Sequence, residues 1–158
     1  MANYYSNQYQ QAYVDKPSTK IKPGDVSGDV KLLYFDFTVP SSAPSNGDKF
    51  YLGKLPKGAR VVDALLQFND LGGAGTVNVG IDAGDDSLET ADADSFLVSV
   101  DVHTAADSVS MKEQMAGGGA NAGFLKELLD NVNVILEATT AWDATSGSVK
   151  GYISYVTV

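Results

Sequence analysis

The chain has 158 residues, no cysteine and a formal charge of −9. That length suits one domain with a single core, since such cores usually span about 100–150 residues. Without cysteine there is no disulfide framework, no thiolate metal site and no cysteine nucleophile. Lys and Arg are few and scattered, which excludes the clustered positive charge that a phosphate backbone requires.

Apolar runs fall far short of the ~20 residues needed for a membrane helix. The opening MANYYSNQYQQAYV has neither the basic nor the apolar region of a signal peptide. The expectation is a soluble protein that acts with neither membrane nor nucleic acid.

Residues 1–29 differ in composition from the rest. Tyr4, Tyr5, Tyr9 and Tyr13 stand among Asn, Gln and Ser, followed by Lys16, Pro17, Lys20, Lys22, Pro23 and Gly24. The stretch as a whole has no helical or strand periodicity, which predicts an extended arm. Ordering about 20 residues costs roughly 1–2 kcal/mol each in backbone entropy. Burying four tyrosines returns only about 1.5–3 kcal/mol each. The arm is therefore expected to order on a partner surface, through aromatic anchors and strand addition, or to remain a frayed terminus.

From Val30 the pattern turns to strands. In VKLLYFDFTV, Leu33, Phe35, Phe37 and Val39 share a face on which Lys31 is the polar exception. Residues 40–48, PSSAPSNGD, are a loop by composition, and residues 49–53 a short strand. Pro56 and Gly58 suit the second and fourth positions of a β-turn. A strand follows, with Val62, Ala64, Leu66 and Phe68 inward and Asp63 and Gln67 outward. A loop with Gly72, Gly73 and Gly75 then leads to Val77, Val79 and Ile81, making an antiparallel pair.

Residues 82–107 hold eight acidic side chains and no Lys or Arg. Within them SFLVSVDV predicts a strand with Phe96, Val98, Val100 and Val102 on one face. Residues 110–123 are polar and glycine-rich. Phe124, Leu125, Leu128 and Leu129 have helical spacing, leaving helix or strand open there. Val132, Val134, Leu136 and Ala138 alternate again, and a turn at 143–147 precedes the last strand, VKGYISYVTV. Seven or eight short strands with Gly/Ser-rich links predict an all-β antiparallel sandwich.

Candidate chemistry is sparse. His103, the only histidine, has Asp101, Asp107 and Ser110 near it in sequence, but no nucleophile elbow is present. The acidic DAGDDSLETADAD fails the EF-hand register, since position 3 is Gly84, position 6 Ser87 and position 12 Ala93. A solvated loop and an irregular calcium site are its two readings. The Gly72–Gly75 loop lacks a glycine at position 78 and a following helix, so it is no dinucleotide-binding turn. Lys49, Lys54, Lys57 and Arg60 group around the Pro56 turn, as a solvated rim or as contacts to an acidic partner. Trp142 either plugs the end of the sandwich or anchors a partner. No catalytic, cofactor or metal-binding residue is assigned.

KLPKGARVVDALLQFNDLG with the following TVNVGI resembles the head decoration, or cement, proteins of tailed bacteriophages. NVNVILEATTAWDATSGSVKGYISY is similar to that family's closing hairpin. The resemblance covers roughly 30–158 and implies a jelly-roll-like sandwich behind an extended arm over 1–29. It implies binding to the major capsid protein on the outer shell of the virion, and a homo-oligomer, with the trimer favoured. Tyr4, Tyr5, Tyr9 and Tyr13 are then the expected capsid contacts, with Lys54, Lys57, Arg60 and Trp142 as rim contacts. A carbohydrate-binding or adhesion module, or a neck, head-fibre or tail component, are the competing functions.

Overall fold

The computed structural model describes residues 29–39, 43–103, 106–117, 122–143 and 146–157. The arm expected over 1–29 lies, apart from its last residue, outside the described residues. Among the described residues, eight strands and one short helix follow in chain order. They are β1 (Lys31–Thr38), β2 (Lys49–Leu55), β3 (Ala59–Phe68), β4 (Thr76–Ile81), β5 (Asp92–Asp101), β6 (Asp107–Ser110), α1 (Met111–Ala116), β7 (Val132–Ala138) and β8 (Ser148–Thr157).

The pairing is nested: β1 with β8, β2 with β7, β3 with β6 and β4 with β5, all antiparallel. One long antiparallel ribbon rolled on itself gives this order. Further pairing of β3 with β8 and of β4 with β7 completes two four-stranded sheets, β1-β8-β3-β6 and β2-β7-β4-β5. The architecture is an all-β, jelly-roll-like sandwich. Phe35, Val61, Leu66, Phe68 and Ile153 of the first sheet meet Leu55, Val77, Val79, Val134 and Leu136 of the second in one buried cluster. Each such side chain contributes about 1.5–3 kcal/mol on leaving water.

Alternation alone misplaces two inward positions, both beside bulges. In β3 the register against β8 slips between Val61 and Asp63. Val61 is buried while Val62 is only half-buried, and the expected inward set resumes at Ala64, Leu66 and Phe68. In β5, Val77 and Val79 of β4 oppose Val100 and Leu97, so three steps face two. Ser99 takes φ 47° there, and its N–H donates to Asn78 Oδ1 at 2.7 Å. Leu97 is buried in consequence and Val98 only partly. An extra residue reverses which parity faces the core.

The Pro56 turn also differs from expectation by one position. Ala59 N–H donates to the Pro56 carbonyl at 3.1 Å, so Pro56 is the first residue and Gly58 the third. Gly58 has φ 78°, the positive value that a type II turn demands at its third position.

The helix falls at Met111–Ala116, not at Phe124–Leu129. Ser110 accepts from Glu113 N–H, and the Glu113 carboxylate accepts from Ser110 N–H, forming a capping box. Residues 122–131 instead run beside the first half of β3. Leu125 and Leu128 donate to the Val61 and Ala59 carbonyls, both at 2.9 Å. Leu125 has φ 55°, which no helix accommodates.

Gly151 marks the tightest approach between β8 and its neighbours. A Cβ there would lie 2.0 Å from the Leu65 carbonyl oxygen and 2.8 Å from Phe35 Cζ. Backbone cannot swing aside as a side chain can, so Gly151→Ala is expected to cost about 3 kcal/mol or more, read from the shift of the urea midpoint.

Candidate interaction surface

Two of the four basic side chains around the turn, Lys49 and Lys54, pair with the chain's own acidic loop, and Arg60 pairs with Glu127. Lys49 Nζ lies 3.4 Å from Asp82 Oδ1, Lys54 Nζ 3.3 Å from Asp85 Oδ1, and Arg60 Nη2 3.0 Å from Glu127 Oε2. Lys57 is exposed, and its backbone N–H donates to Asn131 Oδ1 at 3.1 Å. Among the described residues three of the four cations are paired within the molecule, and Lys57 is exposed.

Residues 82–94 are pinned rather than loose. Asp130 is buried and accepts from the N–H groups of Asp86 at 2.6 Å and Asn131 at 2.7 Å. Glu89, also buried, accepts from Lys126 Nζ at 2.6 Å and Leu129 N–H at 2.8 Å. A buried carboxylate is tolerated only when its lone pairs are met in this way. The loop's side chains serve the fold, and no group of three or more such ligands converges among the described residues.

Asp82, half-buried, is held by several donors at once. It accepts from the Tyr51 hydroxyl at 3.0 Å and the Ala83 N–H at 3.1 Å, with Lys49 beside it. These donors, Tyr51 first, hold its carboxyl below the usual aspartate range, while the carboxylate pushes the Tyr51 phenol up. The stability gained from Asp82 is therefore full above the ordinary aspartate pKa and lost as pH falls through the lowered folded value. Tyr51→Phe is expected to lower stability at about pH 6, with the difference from the parent vanishing towards about pH 2 in urea titrations. Asp92 has the opposite sign. Burial, and then Asp94 beside it, push its pKa up, so falling pH relieves rather than removes stability there.

His103 and Ser110 do not assemble into a catalytic group. Ser110 Oγ is engaged in the α1 capping box with Glu113. His103 Nδ1 lies 2.5 Å from Asp101 Oδ1, which also accepts from the His103 backbone N–H at 2.9 Å. The pair closes the end of β5.

Trp142 is a plug, and the partner-anchor reading of it is overturned by its burial. It is 1% exposed and stacks on Phe50, with centroids 5.4 Å apart, and Phe50 stacks on Phe37 at 4.9 Å. Tyr4, Tyr5, Tyr9 and Tyr13 fall outside the described residues.

What pattern-reading missed is the exposed aromatic pair Tyr34 and Tyr51, each 63% exposed, on neighbouring edges of the two sheets. Their signal was available: both occupy outward positions in strands whose alternate residues point inward.

No protein-family model and no curated protein matches the sequence. Solved structures do match, over nearly the whole chain. A chain in the capsid of Ralstonia phage GP4 superposes with a TM-score of 0.65 at 25% identity, covering 85% of this chain and 88% of that one. A chain of the cyanophage Pam1 capsid asymmetric unit gives 0.65 at 20% identity, covering 93% and 99%. The chain thus shares its fold with components of two phage capsids.

Proposed function

We propose that this protein is a virion structural component, a decoration or cement protein that binds the outer surface of a tailed-phage head and bridges neighbouring capsomers. The observation carrying this reading is the near end-to-end likeness to the GP4 capsid chain, 85% of one against 88% of the other at 25% identity. Most of each chain takes part in the match, so the likeness extends well beyond a local motif. The family resemblance of residues 54–81 and 131–155 points the same way.

In this reading residues 30–158 form a rigid sandwich, and residues 1–29 an arm that reaches the major capsid protein through Tyr4, Tyr5, Tyr9 and Tyr13. Lys57 sits on the same rim as Lys54 and Arg60 and is the cation of that group best placed for a partner carboxylate. Many copies bind the assembled lattice and not free subunits, so the shell is favoured by mass action. A closed trimer suits placement on a symmetry axis.

The deciding experiment is co-sedimentation with assembled shells. A fixed, lattice-matched number of copies per capsid subunit is expected. No association would sink the proposal, and a dozen or fewer copies per virion would assign the chain to the neck or tail. The calcium-dependent adhesion alternative is disfavoured, because Asp82, Asp85 and Glu89 are held by the fold's own donors and no group of three or more ligands converges among the described residues. Glycan arrays with and without calcium would restore it only through clear binding.

A further inference from the structure

The two flanks of the sandwich are treated differently. On one flank β5 and the first half of β3 are covered. The Gln114 side chain donates to the Val98 carbonyl at 2.7 Å and accepts from Val98 N–H at 2.9 Å. Gly123 donates to the Ser95 carbonyl at 2.9 Å, and Leu125 and Leu128 occupy the edge of β3. These are the usual means of blunting a strand edge.

On the other flank β1, eight residues long, and β2, seven residues long, are edge strands of their sheets. Among the described residues neither has a strand on its outer side. Between them runs a cleft of about 360 Å³ lined by Tyr34, Phe35, Phe37, Phe50, Tyr51 and Leu52, with Asp36 at its margin. The charges of β2 sit near its ends, at Lys49 and Lys54, and residues 50–52 between them carry none. Every second residue of an edge strand directs its N–H and C=O outward, which is a template for an added strand.

We propose that this cleft takes residues 4–13 of a second copy of this chain as an added strand. The proposal rests on the oligomeric part of the reading above; it gives Tyr5, Tyr9 and Tyr13 to a neighbouring copy in place of the direct capsid contact, so the arm supports shell binding by holding copies together. Residues 4–13 contain no proline and no charge, and Tyr5, Tyr9 and Tyr13 share one parity, so all three fall on one face of a strand. The chain's own copy fits poorly. Folding back through the turn signals of residues 23–28 would bring residues 15–22, DKPSTKIK, to the edge of β1. That segment carries Pro17 and four charges, and it would leave the tyrosines past the end of the eight-residue strand. Reach permits a neighbour. The 16 residues from Tyr13 to Asp29 span up to about 50 Å when extended. The domain itself is only about 35 Å across.

The chain has no cysteine, so disulfide trapping is clean. Full-length Tyr9→Cys and Tyr34→Cys chains, one carrying a mass tag, are co-expressed and oxidised. The expected product is a disulfide joining position 9 of one chain to position 34 of the other. Its yield should be about tenfold that with Leu125→Cys, an exposed site on the covered flank. Equal yields at both sites would overturn the proposal, as would no product. So would a link formed only within single chains carrying both Tyr9→Cys and Tyr34→Cys. Shell co-sedimentation is scored on the parent protein, so the two readings can fail separately.

Discussion

Trp142→Ala is expected to lower the unfolding free energy by about 3–5 kcal/mol, the range for large aromatic truncations in a core. The magnitude follows from position. The ring is fully enclosed, lies parallel to Phe50 at an interplanar angle of 6°, and continues a stack whose next member is Phe37. Phe37 belongs to β1 and Phe50 to β2, so the stack ties the edges of the two sheets together at one end. Gly75 leaves room for the indole, since a Cβ there would fall 2.9 Å from Trp142 Cδ1. Neighbours this constrained relax little into a cavity, which places the loss in the upper part of the range. Trp142→Phe keeps a stacking ring and is expected to lose about 1–2 kcal/mol. Equilibrium denaturation of both variants gives the comparison. A loss under about 1 kcal/mol for the alanine variant would show that the stack does not hold the sheets together.

Much of this fold is legible in the sequence, because alternation with turn chemistry between strands encodes a half-buried sheet directly. Val77, Val79, Ile81, Val132, Val134 and Leu136 are all inward where alternation puts them. The failures have local causes. Val62 and Val98 are hydrophobic, β-branched and in the right parity, yet a bulge before each core run hands the inward place to Val61 and Leu97. A bulge adds one residue and leaves no compositional mark except at the partner strand, so parity alone cannot find it. The α1 helix did have a mark, the Ser-x-x-Glu of Ser110 to Glu113, but six residues are too few for hydrophobic periodicity to show.

The acidic loop shows a different limit. Its carboxylates look surplus in sequence because their partners, Lys49, Lys54, Lys126 and the Leu129 N–H, come from other segments. Spacing within a loop carries no information about donors brought to it by the sheets. The interaction surface is legible in one respect only. Tyrosine density marks residues 4–13 as suited to contact, while the open flank is visible only once strand order is known.

Removing residues 1–23 is expected to leave the melting temperature within a few degrees of the parent yet abolish binding to shells. The first half follows from the core: among the described residues every member of the buried cluster lies at Phe35 or later, and eight strands from residue 31 onward pair into both sheets. The second half follows from magnitude. In the proposed arm contact four tyrosine anchors would bury apolar surface worth about 1.5–3 kcal/mol each, roughly 6–12 kcal/mol together before ordering costs. If only ~3 kcal/mol of that survives as net affinity, its loss weakens each contact by about a hundredfold. Multivalent attachment compounds the loss, because each arm also holds its neighbours within reach of the lattice. Scanning calorimetry and shell co-sedimentation on the same preparation separate the two halves. A large fall in melting temperature would assign the arm to the sandwich core. Binding retained at the parental level would move the shell contact to the domain itself, with the rim around Lys57 the first place to look.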